Sequence, residues 1–412
     1  MMTMKILLIA PYMTNNNVPL LSQCKAGFGY MVYDIAASVA EKQAAEALLF
    51  NYRYDSFRAD HIGFVGSSWS LFLKNITKCC SPFMPIRLYA KYRMQLRTFV
   101  RLCYGWLISG YYKDVIQKGD YDVVHIHGCG FMNEYFIDIC KKLKIPFVVT
   151  LHGLNSFSDS VKLEPAGKKY EKDFLKETLE KGYDMTVIAS GIKRTILEHF
   201  GVKSADNIRV VNNAFKFGSS DQRVDIRNKY SIPADAKILV YVGNISSNKN
   251  QEQMVRAFSA LPNDWRDRIY VLFLGRNNEA GYSIEALIEK GGFKKHLILC
   301  GNIDKSEIAS YYEQADAVAL LSIAEGFGLS LIEGMHFGLP CMTYTDLDAF
   351  NDIYTDKVVV AIPDREDETV AECLISLFSK DWDPIAIKQY SKRFESCAMA
   401  DNYINVYKEI LR

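Results

Sequence analysis

Two carboxylates, Glu325 and Glu333, flank a loop that carries two glycines, Gly326 and Gly328. A carboxylate accepts hydrogen bonds from both hydroxyls of a vicinal diol, and charge-assisted bonds are the strong kind. Glycine lets backbone approach a ligand without a Cβ in the way. Where such a loop runs into a helix, the first N–H groups have no internal partner and form an anion site. That site is worth about 0.3–1 kcal/mol when exposed and up to ~2 kcal/mol when partly buried. A phosphate cradle with two diol readers suits a molecule carrying two sugars and a diphosphate, which is a nucleotide sugar. The same acids can also be read as ordinary first-turn residues favoured by the helix dipole. Spacing alone does not decide between these readings.

The elements that must position these groups are visible on either side. Residues 317–321 form a short apolar run fit for a strand buried on both faces. Residues 322–328 are the loop, and 329–337 carry the apolar stripe of a helix packed on a sheet. Gly338-Leu339-Pro340 ends that helix, and a new strand starts at Cys341. The same alternation fills the rest of the chain. Strands are expected at 5–10, 121–128, 146–153, 185–190 and 208–213, then at 238–242, 270–274, 297–303 and 358–362. Gly27 opens a helix whose Val32, Ile35, Ala36 and Val39 share a face. His127 and His152 fall at strand C-terminal ends, where open α/β sheets bind ligands. Polar residues 215–237, with Gly218-Ser219-Ser220, read as a linker. The spacing predicts two doubly wound α/β domains, at 1–215 and 216–385, with helices at 386–412.

The run Glu325-Gly326-Phe327-Gly328-Leu329 with Glu333, then Gly338-Leu339-Pro340, resembles the paired-glutamate signature of retaining glycosyltransferases of the glycogen-synthase-like, family 4 type. The resemblance implies a GT-B fold, two Rossmann-like domains facing a cleft, with the last helix crossing back to the first domain. It implies transfer of a hexose from a nucleotide diphosphate sugar to an acceptor hydroxyl, with retention, without metal and without a further cofactor. It assigns His152, Lys249 and Glu325 to the catalytic centre. Glu325 would hold sugar hydroxyls and Glu333 the ribose. Lys249 and the loop Gly326, Phe327, Gly328 and Leu329 would take the diphosphate, which Gly27 would also face. Ile303 would touch the base through its backbone, and His127 is a second-rank candidate.

The chain departs from that pattern in places. Ala26 stands for the first glycine of a pair, and Ala214 follows Asn213 where a glycine is expected. Asn244, in the donor-binding set, stands where an arginine is expected. Arginine offers phosphate a fixed fork of donors, and asparagine a single neutral amide. Arg276 is a candidate substitute. Two alternatives remain open on the same fold. One is a nucleotide-sugar 2-epimerase, which needs acid–base residues that the chain lacks beyond its histidines. The other is a catalytically silent nucleotide-sugar-binding subunit, which Asn244 favours.

Composition limits the remaining classes. The 412 residues are 49% hydrophobic and 24% charged, as in a globular protein of two or three domains. A net charge of +1 gives no global pull toward nucleic acid. No apolar run approaches the ~20 residues of a spanning helix. Ten cysteines without metal spacing read as reduced thiols of a cytoplasmic protein. His125, His127 and His152 lack a further ligand at metal spacing. Three Asp-x-Asp pairs, at Asp120, Asp346 and Asp381, are weak metal signals. Residues 53–113 are basic and aromatic. They read either as core helices with solvated basic faces or as a surface for an anionic membrane at its inner face. That region suggests a carbohydrate or lipid-linked glycan acceptor, in polysaccharide or glycolipid synthesis.

Overall fold

The computed structural model describes residues 3–24, 27–157, 163–215, 223–277, 279, 281–304 and 306–412. The chain forms two compact units, Met1–Asn212 with Ser396–Arg412, and Asn213–Glu395. The expected linker tripeptide Gly218-Ser219-Ser220 and the departure at Ala26 lie outside the described residues.

The first unit is built on an eight-stranded sheet. Its strands are β1 (Lys5–Ala10), β2 (Ala44–Leu49), β3 (Phe57–Ala59), β4 (Ile62–Phe64), β5 (Val123–His127), β6 (Phe147–Leu151), β7 (Asp184–Val187) and β8 (Ile208–Val210). They lie in the order β3-β4-β2-β1-β5-β6-β7-β8. All neighbours are parallel except β3 and β4. The order reverses about β1: β2 lies on one side and β5 on the other. Loops leaving β1 and β5 diverge there, which opens a crevice at the strands' C-terminal ends.

The second unit repeats the plan with six parallel strands. These are β9 (Lys237–Val242), β10 (Ile269–Leu274), β11 (Leu297–Gly301), β12 (Ala317–Leu320), β13 (Cys341–Tyr344) and β14 (Val359–Ile362). Their order is β11-β10-β9-β12-β13-β14, so the reversal falls between β9 and β12. Every residue of β10, β12 and β13 is buried, because helices cover both faces of a parallel sheet. This is why those strands read as unbroken apolar runs rather than alternating ones.

Region 53–113 is largely regular. It holds the β3–β4 hairpin and, after helix α1 (Gly27–Ala40), the helices α2 (Trp69–Lys74), α3 (Phe83–Tyr92) and α4 (Leu96–Lys118). Strand β2 was hidden by its alanines: Ala-Ala-Glu-Ala-Leu-Leu favours helix, yet parallel pairing with β1 buries it. The C-terminal helix Ser396–Ile410 belongs to the first unit and packs on α1. Its Tyr403 and Tyr407 are fully buried against His125, whose Nδ1 lies 2.7 Å from the Tyr407 hydroxyl. The helix Pro384–Ser391 packs instead on Leu329–His336 and stays with the second unit. The chain therefore returns at Ser396, later than the expected 386. Among the described residues no helix is long and apolar enough to cross a membrane.

Candidate active site

In the second unit the two loops at the β9/β12 reversal are tied together. Tyr241, fully buried on β9, donates its hydroxyl to the Lys249 carbonyl and accepts the Leu321 N–H at 2.9 Å. Asn248 holds the other loop by three bonds. Its carbonyl accepts from the Ile323 amide at 2.8 Å, its Nδ2 donates to the Ala324 carbonyl at 3.0 Å, and its Oδ1 accepts from the Ala324 amide at 3.2 Å. The result is that Lys249 and Glu325 form an ion pair, with the side chains 25% and 20% exposed. Both residues are nameable from the sequence, on different parts of a donor, but their contact is not.

The helix Leu329–His336 begins on Gly328, whose φ of 85° and ψ of 55° lie in the left-handed region. A Cβ there would stand 2.9 Å from a Leu320 methyl group, so glycine is required on two counts. Phe327 is 2% exposed and packs edge-on against Phe394, anchoring the loop from below. The amides of Leu329 and Ser330 open the helix, where no intrahelical acceptor exists. Glu333 is held from behind by the buried Tyr312, whose hydroxyl donates to it at 2.8 Å. Burial and the neighbouring Glu333 push the Tyr312 phenol well up, so it stays a neutral donor. Tyr312 was not foreseen from the sequence.

Asn244 is exposed on the loop after β9. The loop after β10 presses against it: a Cβ on Gly275 would meet the Gly243 carbonyl oxygen at 2.1 Å. That approach lets the Ile245 amide donate to the Arg276 carbonyl at 2.9 Å, and places the exposed Arg276 beside Asn244. Ile303 follows β11, the edge strand two places from β9.

The first unit has its own cluster at the β1/β5 reversal. Gly27 starts α1 with nothing within 4 Å of where its Cβ would be. Phe28 packs edge-on against His152, with ring centres 4.9 Å apart. His152 Nε2 lies 3.2 Å from His127 Nδ1, so one neutral ring donates to the other. His127, the second-rank candidate, is thus tied to His152 on one side, and its ring centre lies 4.0 Å from that of His125 on the other. His127 Nε2 is buried without a hydrogen bond. His125, the third ring, is committed to the core through Tyr407 and through Thr150 Oγ1 at 2.6 Å. A cavity of about 580 Å³ opens beside the cluster, lined in part by Tyr12, Phe28, Arg101, Leu102, His127 and Phe131.

Burial lowers the imidazoles, to about 3 for His125 and about 4 for His152. In the unfolded chain they would titrate near 6.5. Between those values the unfolded chain binds protons that the folded one refuses, so stability falls as pH falls. For the fully buried His125 this amounts to about 2 kcal/mol by pH 5. Melting temperature should drop steadily from pH 7 to pH 5, and less steeply in His125→Gln. A flat profile would contradict the burial of neutral rings. His152 should add no inflection to a pH–rate profile above about pH 5.

The metal signals find other uses. Asp346 accepts two bonds from Arg365, at 2.6 and 3.1 Å. Asp383 caps the helix Pro384–Ser391, and Asp122 accepts from the Lys5 amide at 2.7 Å. Among the described residues no group of three or more His, Cys, Asp or Glu side chains is placed to hold a metal ion.

Two family models match the chain. One, Glycosyl transferases group 1, covers residues 222–394, and the other, Glycosyltransferase Family 4, covers residues 76–216. The chain is 25% identical over 63% of its length to the O-antigen chain mannosyltransferase B of Escherichia coli, covering 70% of that protein. It is 24% identical over 58% of its length to the N-acetyl-alpha-D-glucosaminyl L-malate synthase of Bacillus anthracis, covering 60% of it. In fold it is similar to HepE of Anabaena, crystallised with UDP and glucose. The TM-score is 0.66 at 14% identity, over 98% of this chain and all of that one.

Proposed function

The chain belongs to the glycosyltransferases of the two-domain GT-B fold, matched by a family model in each half, and from that premise we propose that it moves a hexose from a nucleotide diphosphate sugar to an acceptor hydroxyl with retention at the anomeric carbon. The observation that carries the reading is the Lys249–Glu325 pair, set beside a glycine-started helix at the reversal of the second sheet. An ammonium and a carboxylate in one place offer the two things a nucleotide sugar needs at its scissile bond: a cation for the diphosphate and an acceptor for sugar hydroxyls.

In the proposed reaction the bond from the anomeric carbon to the diphosphate oxygen breaks. Lys249, the Gly326–Leu329 backbone and the helix N-terminus stabilise the negative charge on the leaving group, as preorganised electrostatics. The acceptor oxygen bonds to the same face of the sugar, and its proton passes to the departing phosphate. Glu325 orients the sugar hydroxyls, and Glu333, braced by Tyr312, binds the ribose. Gly27 faces the diphosphate, and Ile303 meets the base. The first unit carries His152, a neutral ring that the family resemblance assigns to the transferred sugar, and beside its cluster a cavity suited to a carbohydrate or lipid-linked acceptor in polysaccharide or glycolipid synthesis.

The reading assigns no role to a metal ion or to a cofactor besides the donor, so turnover should persist unchanged in excess chelator. A panel of UDP-, GDP- and ADP-sugars, scanned by thermal shift, should contain a stabilising donor, since ligand at 100 times its dissociation constant contributes about 2.7 kcal/mol. Proton NMR of the product should then show the donor's anomeric configuration. An inverted product would overturn the mechanism, and loss of turnover in chelator would overturn metal independence.

The exposed Asn244 favours one second reading, a silent donor-binding subunit. Donor binding without release of nucleoside diphosphate to any acceptor, with release appearing in Asn244→Arg, would establish it. Nothing in the site favours the epimerase.

A further inference from the structure

Of the fifteen large apolar side chains exposed among the described residues, ten lie between Trp69 and Leu107. The most exposed of these are Phe83 at 74%, Leu96 at 72%, Leu73 at 67% and Trp69 at 62%. They sit on α2, α3 and the first half of α4, which ring contacts join into one surface. Trp69 meets Tyr104 of α4 at 5.8 Å, and Tyr89 of α3 meets Phe99 of α4 at 4.7 Å.

The same stretch is strongly one-signed. From His61 to Lys113 there is no aspartate or glutamate, against eight lysines and arginines. Two of the cations are neutralised from outside the stretch, Lys78 by Asp114 and Lys91 by Asp173. Lys74, Arg87, Arg93, Arg97 and Arg101 are exposed and form no ion pair among the described residues. The helix Pro165–Lys181, which packs on α3, brings Lys168, Lys169 and Lys172 together with Asp173 and the buried Glu171.

Apolar tips and cations alternate along single helices: Phe83 and Ile86 with Arg87, Leu96 and Val100 with Arg97 and Arg101. A protein interface gathers its apolar residues into a core depleted of charge, whereas here the cations lie between the exposed apolar tips. An interfacial helix mixes apolar side chains that enter the acyl boundary with cations that meet lipid phosphates. None of these helices is long and apolar enough to span a bilayer, so contact would be in the membrane plane.

We propose that α2, α3 and the first half of α4 form a docking surface for an anionic lipid bilayer. Thr98, Arg101 and Leu102 of α4 also line the cavity of this unit. On the reading above, which this consequence rests on, docking sets the acceptor cavity at the membrane surface.

The test is flotation of the full chain with vesicles of phosphatidylglycerol and phosphatidylcholine, compared with phosphatidylcholine alone. The chain should float with the anionic vesicles at low salt, not with the neutral ones, and lose them at about 0.5 M salt, where the screening length is only a few ångströms. Arg87→Glu with Arg97→Glu should lower partitioning tenfold or more, and Phe83→Ser with Leu96→Ser about fivefold. All four side chains are exposed, so both variants should melt as the parent does. Release of nucleoside diphosphate without vesicles should also be unchanged, which separates failure of docking from failure of the transferase reading. No flotation on anionic vesicles, equal flotation on neutral ones, or parental flotation of either variant overturns the proposal.

Discussion

Glu325→Ala should lower kcat by about 100–1,000-fold, the cost of removing one preorganised polar group from a reacting centre. The loop that carries Glu325 does not depend on it for shape. Asn248 binds the Ile323 and Ala324 backbone, Tyr241 binds Leu321, and Phe327 anchors the far side. The variant should therefore melt within a few degrees of the parent and still bind nucleoside diphosphate. What it loses is the acceptor for sugar hydroxyls and the partner that aims Lys249. Steady-state turnover with a matched donor checks this. A rate within threefold of the parent, with unchanged melting, would remove Glu325 from the centre.

Lys249→Met should lower kcat/KM by a similar factor, about 100–1,000-fold, through a different loss. The lysine stem lies along Gly243, with Cγ, Cδ and Cε all 3.4–3.6 Å from where a Cβ on that glycine would sit. Methionine keeps that packing and removes the charge alone. Glu325 is then left without its cation, so donor diphosphate meets an uncompensated carboxylate. Affinity for free nucleoside diphosphate should fall about tenfold or more, which calorimetry would measure. Unchanged affinity would mean that Lys249 serves only Glu325. The double variant should cost much less than the product of the two single effects, because groups that act as a unit are not additive.

The pattern of what the sequence reveals follows from physics. The stretch from β12 to β13 was readable because its strands are buried on both faces and its helix is punctuated by glycines at each end. Lys249 and Glu325 were nameable singly, through a family resemblance. Their contact was not, because they are 76 residues apart and meet only where β9 and β12 become neighbours. The same holds for Tyr312 behind Glu333, and for the His127–His152 pair, which joins the ends of β5 and β6. Asn248 carried no local signal either. Its three bonds are tertiary, and in sequence it is one polar residue in a polar loop. Strand β2 was obscured by helix-favouring alanines. In region 53–113 the charge asymmetry was plain in the sequence. Which apolar residues stay exposed there became visible only once α2, α3 and α4 were placed.

The most direct test is release of nucleoside diphosphate from the stabilising donor in the presence of lipid-linked glycan acceptors, run in parallel with Glu325→Ala. The parent chain should release diphosphate in step with glycosylated product, and the variant should bind the donor yet fall behind by two orders of magnitude or more. Donor binding by the parent without any release, or equal release by both chains, would contradict a transferase whose centre is the Lys249–Glu325 pair.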